Sequence, residues 1–220
     1  MNFFISKLIS SSPIKNISFF KALEKRSMSK DKFIFTQIAL LKAVEYFSIP
    51  MFIIASKLDS YKERNNIIEN IVDEHGNGKI DKAHGKTFEA FLSSFGVTKQ
   101  MLNNSQINDV VKTFNESLYR CAINESTFRS IAMMGIIEER YSEISLCIVR
   151  AILDQGWIDK KKLTHYSLHG DLDVEHAHGF YNIIENGWEH QLSKAEIKKG
   201  LILGNNLICD LYDDLFTFNR

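Results

Sequence analysis

His169-Gly170-Asp171-Leu172-Asp173-Val174-Glu175-His176 is the stretch on which the reading of this chain turns. His169, Asp173 and His176 are separated by four and three residues, so on one α-helix all three side chains project from the same face about a turn apart. Two imidazoles and a carboxylate then converge on one volume. That combination suits iron, manganese or zinc, and the pattern lacks the thiolates that would bias it toward zinc or an iron–sulfur cluster. Taken alone the triplet is equally compatible with a solvated polar helix face, so further ligands must come from elsewhere in the chain.

The surroundings are helical. Apolar residues recur at helical rather than alternating spacing throughout, and Pro13 and Pro50 are the only prolines. The pattern predicts a long helix over 30–58, bent where Pro50 removes a backbone donor. Further helices are expected over 61–74, 80–95, 105–124, 125–139, 148–155, 159–166, 171–186 and 193–216. The glycines of His75-Gly76-Asn77-Gly78 and Gly96 punctuate them. Neither a composition shift nor a repeat divides the chain, so one all-α domain is expected over 30–220, with residues 1–29 packed on or flanking it.

Lys plus Arg and Asp plus Glu number 27 each, a balance that provides no long-range field to attract nucleic acid or an anionic membrane. The apolar run at residues 49–55 is flanked by Glu45 and Lys57 and is too short for a spanning helix of about 20 residues, so no membrane partner is expected. Cys121, Cys147 and Cys209 form no CxxC pair, which argues against a disulfide framework and for small buried hydrophobes in a cytoplasmic setting. The last helix offers Leu211, Tyr212, Leu215 and Phe216 for packing or a homodimer contact.

Two other segments carry ligand-type residues. Glu139 closes the apolar run Ile131-Ala132-Met133-Met134-Gly135-Ile136-Ile137-Glu138-Glu139, where Gly135 would allow close helix approach and a buried acid would call for a cation. The alternative is that Glu138 and Glu139 begin an exposed charged patch. In the other segment, Glu74 and His84 would lie about 15 Å apart on an unbroken helix, too far to share a metal. The glycines between them let the chain fold back. His75 is the rival of His84, but its direction on the helix end differs from that of Glu74.

Asn70-Ile71-Val72-Asp73-Glu74-His75-Gly76-Asn77-Gly78, then His84, then Glu139, then His169-x3-Asp173-x2-His176 together resemble the haem-oxygenase-like di-iron oxidases and oxygenases, the iron-containing redox relatives of the chlamydial death-domain-associating protein. The resemblance spans roughly residues 30–216. It implies a seven-helix haem-oxygenase-like bundle and makes Glu74, His84, Glu139, His169, Asp173 and His176 ligands to two Fe ions, or to Mn or a mixed pair, with Glu139 bridging. It also implies O2 as co-substrate and oxidation of a small amino-acid-derived or fatty molecule by C–C cleavage, desaturation or N-oxygenation.

Within that fold group no histidine precedes His75, so the axial ligand of a haem oxygenase is missing. The branch that makes p-aminobenzoate from its own tyrosine uses a lysine about ten residues beyond the bridging glutamate, where this chain reads Cys147-Ile148-Val149-Arg150. Two other readings use the same bundle: a non-catalytic partner-binding protein, and a metal-independent hydrolase of the thiamin-salvage kind.

Overall fold

A computed structural model describes residues 1–218, with the side chains of 168–172 outside the description. No strand occurs among the described residues. The helices are α1 (Asn2–Ser11), α2 (Ser18–Glu24), α3 (Lys30–Tyr46), α4 (Ser48–Ser56), α5 (Tyr61–Glu74), α6 (His84–Ser93), α7 (Lys99–Asn104), α8 (Asp109–Asn124), α9 (Thr127–Asp154), α10 (Thr164–Ile184) and α11 (Gln191–Thr217). If α3 and α4 are taken as one bent helix and the short α1, α2 and α7 are set aside, seven helices remain. These make up the haem-oxygenase-like bundle.

The bend arises as the sequence predicts, but three residues early. Pro50 has no N–H to give the carbonyl of Tyr46, and the helix breaks at Phe47. Together α3 and α4 form a run of 27 residues that is apolar and long enough to cross a membrane, longer than the stretch at residues 49–55 suggested. Half of that apolar window is buried inside the bundle, with Phe33, Leu40, Leu41, Met51 and Ile54 in the core.

The axis of the fold is α9. The helices expected over 125–139 and 148–155 merge into this single 28-residue element, because no glycine or proline interrupts residues 140–147. Ser126 caps its start by accepting from the N–H of Arg129. Met133, Met134, Ile136 and Ile137 are almost wholly buried, and each such side chain contributes about 1.5–3 kcal/mol of hydrophobic stabilisation.

Small residues let the partner helices approach α9 closely. A Cβ on Gly200 or Gly204 of α11 would come within 2.1 Å of the Arg129 carbonyl or 2.4 Å of the Met133 carbonyl. On the α9 side facing α10, Gly135 gives way to Phe180 and Tyr181; a Cβ there would lie 2.8 Å from Tyr181 Cε1. The α10 helix is likewise continuous across the expected gap between 166 and 171.

The first 29 residues are packed rather than loose. Ile5, Ile14, Phe19, Phe20 and Leu23 are buried, and Phe19 and Phe20 stack on Tyr212 of α11 with ring centroids 5.2 Å apart in both pairs. A wholly buried Arg140 reinforces this attachment. Its guanidinium donates to the Ser12 carbonyl and, at 2.7 Å, to Glu143.

Candidate metal centre

Four helices bring their polar residues to one place. The end of α5 supplies Glu74, the start of α6 supplies His84, the middle of α9 supplies Glu138, and α10 supplies Asp173 and His176. All five are buried, with relative exposures between 1% and 8%. Ligand atoms of Glu74, Glu138 and His176 lie within 4.8 Å of one another.

The glycine loop makes the first pair possible. Gly76, Asn77 and Gly78 all have positive φ, at 75°, 54° and 80°, and turn the chain back so that α6 starts beside the end of α5. The return is tight: a Cβ on Gly76 would lie 2.3 Å from the Lys79 carbonyl oxygen and 2.5 Å from the Ala83 nitrogen. His84 Nδ1 thereby comes 3.0 Å from Glu74 Oε1. The ring of His75 points elsewhere, with Nδ1 2.8 Å from the Ile71 carbonyl oxygen and the ring edge-on to Phe52.

Of the two adjacent acids on α9, Glu138 enters the cluster, whereas Glu139, the ligand expected from sequence, faces Tyr181. Consecutive helical residues point about 100° apart, so only one of the pair can face α5. Glu139 is half-buried against the other side of α10, where it accepts the Tyr181 hydroxyl at 2.7 Å. Glu138 Oε1 accepts from Asn70 Nδ2 at 3.2 Å and lies 3.8 Å from His176 Nδ1. The remaining expected ligand, His169, has a side chain that lies outside the described residues.

Two supporting residues went unassigned in the sequence. Asp73 Oδ2 lies 3.2 Å from His176 Nε2, and Asn70 holds Glu138 from one turn earlier on α5. The spacing of Asn70, Asp73 and Glu74, three and four residues apart on one helix face, was the available signal. With Nε2 turned to Asp73, His176 Nδ1 faces Glu138 and has no hydrogen-bond partner among the described residues. A carboxylate behind an imidazole is the usual arrangement that orients a histidine toward a metal.

Electrostatics support the same conclusion. Burial, then the Asp173 carboxylate, pushes the Glu138 carboxyl well above its ordinary pKa, and burial, then Glu74, does the same to Asp173. Burial lowers the pKa of His84, but Glu74, Asp173 and Asp73 outweigh it and raise the value on balance. Three buried carboxylates facing two imidazoles are an expensive arrangement without a cation. Three oxygen and nitrogen ligands about 2.1 Å from one first-row metal stand about 3.4 Å apart at tetrahedral angles, so side-chain shifts of about an ångström would close the observed cluster on an ion. The donor set therefore fits a divalent metal.

A cavity of about 50 Å³ adjoins the cluster. Glu74, His84 and Glu138 form one wall, and Leu40, Phe47, Phe114, Ile137 and Leu211 form much of the rest. Tyr141 and His165 supply its other polar groups. His165 is fully buried, with Nδ1 2.9 Å from Thr87 Oγ1 and Nε2 3.3 Å from the Tyr141 hydroxyl. Because the Thr87 hydroxyl donates to the His84 carbonyl at 3.0 Å, it accepts from His165 Nδ1, which leaves Nε2 to accept from Tyr141.

Solved structures share this architecture. A CADD-like protein of unknown function from Nostoc punctiforme superposes with a TM-score of 0.76 at 14% identity, covering 98% of this chain and 96% of its own. A TenA homologue from P. horikoshii gives 0.74 at 14% identity, covering 97% and 98%. Among curated proteins, 4-chloro-allylglycine synthase from Streptantibioticus cattleyicolor is 26% identical over 136 residues, which is 61% of this chain and 51% of that protein. The match thus spans about half the length of that relative. The family profile described as iron-containing redox enzyme matches residues 35–201, and the chain belongs to that family.

Proposed function

We propose that this chain is an O2-dependent oxidoreductase holding two iron ions between α5, α6, α9 and α10, and that it oxidises a small substrate in the adjoining apolar cavity. The observation that carries this reading is the convergence of Glu74, Glu138 and His176 ligand atoms within 4.8 Å, with His84 and Asp173 buried beside them. Membership of the iron-containing redox family supports iron as the metal.

Glu74, His84, Glu138, Asp173 and His176 would hold the pair, with His169 as the sixth ligand implied by the resemblance. Bound iron supplies the redox chemistry with dioxygen. The chain orients the ligands through Asn70 on Glu138 and Asp73 on His176, and its apolar wall excludes bulk water. Tyr141, held by His165, offers the substrate a polar contact. With so small a cavity, the substrate class is a compact molecule, or the end of a longer one, with an apolar reacting group.

Anaerobic reconstitution with Fe(II), followed by metal analysis and oxygen-uptake measurement, tests the proposal. About two irons per chain and oxygen consumption by the reduced protein are expected. A protein that retains no iron under those conditions would overturn the proposal.

A further inference from the structure

A second cavity, of about 430 Å³, lies between the N-terminal segment and the C-terminal half of α9. It shares no lining residue with the cavity beside Glu74 and Glu138. Its volume falls within the range of small-molecule sites. Buried Ile14, Phe20 and Leu23 give it an apolar floor, and Lys15, Arg26 and Arg150 stand exposed around it. No ion pair among the described residues engages any of these three cations. Of the three acids on the wall, Glu143 is taken by Arg140 at 2.7 Å, leaving Glu24 and Asp154. Gln155, also on the wall, holds a buried amide nitrogen without a hydrogen-bond partner.

Arg26 carries a second, independent signal. It follows the C-cap of α2 with φ at 55°, while the N–H groups of Ser27 and Met28 both bond to the Ala22 carbonyl. Glycine is the usual residue at such a left-handed helix end, because an L side chain there brings its Cβ against the following carbonyl oxygen. An arginine held in that conformation at the mouth of a cavity is strain that a ligand contact would explain.

We propose that this cavity binds an amphiphilic organic anion, an aromatic or short aliphatic carboxylate or sulfonate. Its apolar body lies on Ile14, Phe20 and Leu23, and its acidic group is taken by Arg26 and Arg150. The site is independent of the metal centre, so it is testable on the protein as purified.

Fluorescence titration with 1-anilinonaphthalene-8-sulfonate, compared with the uncharged N-phenyl-1-naphthylamine, provides the test. Saturable one-to-one binding of the sulfonate is expected. The double variant Arg26→Gly, Arg150→Gln should weaken it at least tenfold while leaving the uncharged dye within about twofold. Arg26→Gly alone should keep or raise the thermal midpoint, because glycine relieves the positive φ. Unchanged sulfonate binding in the double variant, no saturable binding by the parent, or equal loss of both dyes would overturn the site. So would a lower midpoint in Arg26→Gly, which would make the arginine structural.

Discussion

Asp73 Oδ2 lies 3.2 Å from His176 Nε2, so the other ring nitrogen of His176 is left facing Glu138. Two residues more than a hundred positions apart thereby set one imidazole in a single orientation at the centre of the bundle. The contact gives α5 a second role besides carrying Glu74.

Removing that support should weaken metal binding without emptying the site. Asp73→Ala is expected to lower iron affinity about 10–100-fold, the usual cost of deleting a carboxylate behind a ligating histidine. Competition against a coloured Fe(II) chelator measures it. An affinity equal to that of the parent would show that His176 needs no orienting partner.

The two neighbouring acids on α9 should behave differently. Glu138→Ala should lose most of the iron retained by the parent. Glu139→Ala should keep it, because that side chain faces Tyr181 instead. Metal analysis of both variants decides between them, and iron loss confined to Glu139→Ala would restore the assignment expected from sequence.

The glycine loop should be unequally tolerant of a methyl group. Gly76→Ala places a Cβ against the backbone of Lys79 and Ala83 as well as requiring a positive φ. Gly78→Ala meets only the φ cost of roughly 1–2 kcal/mol, since no atom lies within 4 Å of its Cβ. Chemical denaturation should rank Gly76→Ala as clearly the more destabilised, and its iron content should fall as His84 is displaced from Glu74. Equal stabilities would mean that the chain does not return as tightly as described.

Metal-free protein should lose stability as pH rises from mildly acid to alkaline. Glu138 and Asp173 have folded pKa values raised above the unfolded ones, so the native state binds more protons and the stability slope with pH is negative through that window. His84, also raised, contributes stability below its unfolded pKa that is lost as pH passes its folded pKa, in the same direction. Iron binds the deprotonated carboxylates and releases protons, so the rise in melting temperature on adding Fe(II) should grow with pH. Thermal melts with and without metal across pH 5–8 check both trends, and a metal-induced shift that does not vary with pH would contradict the assignment of these carboxylates.

Much of this molecule was legible in its residues. Helical spacing and the scarcity of proline determine an all-α chain, and Pro50 determines a bend. The acids and histidines and their order along the chain pick out the candidate metal-binding residues, and the glycines at 76 and 78 determine that Glu74 and His84 can meet. These are local properties, set by spacing within one helix or turn.

Tertiary structure alone decided the rest. Whether Glu138 or Glu139 faces inward depends on the rotation of α9 about its axis, and that rotation is set by how Gly200 and Gly204 of α11 and Phe180 and Tyr181 of α10 pack against it. Asp73 and Asn70 acquire their partners only when α5 meets α10 and α9. The N-terminal helices, expected to pack on or flank the bundle, are anchored by Arg140 and Tyr212 from distant parts of the chain. Local spacing says which side chains share a face; which face is buried is set by contacts between segments far apart in sequence.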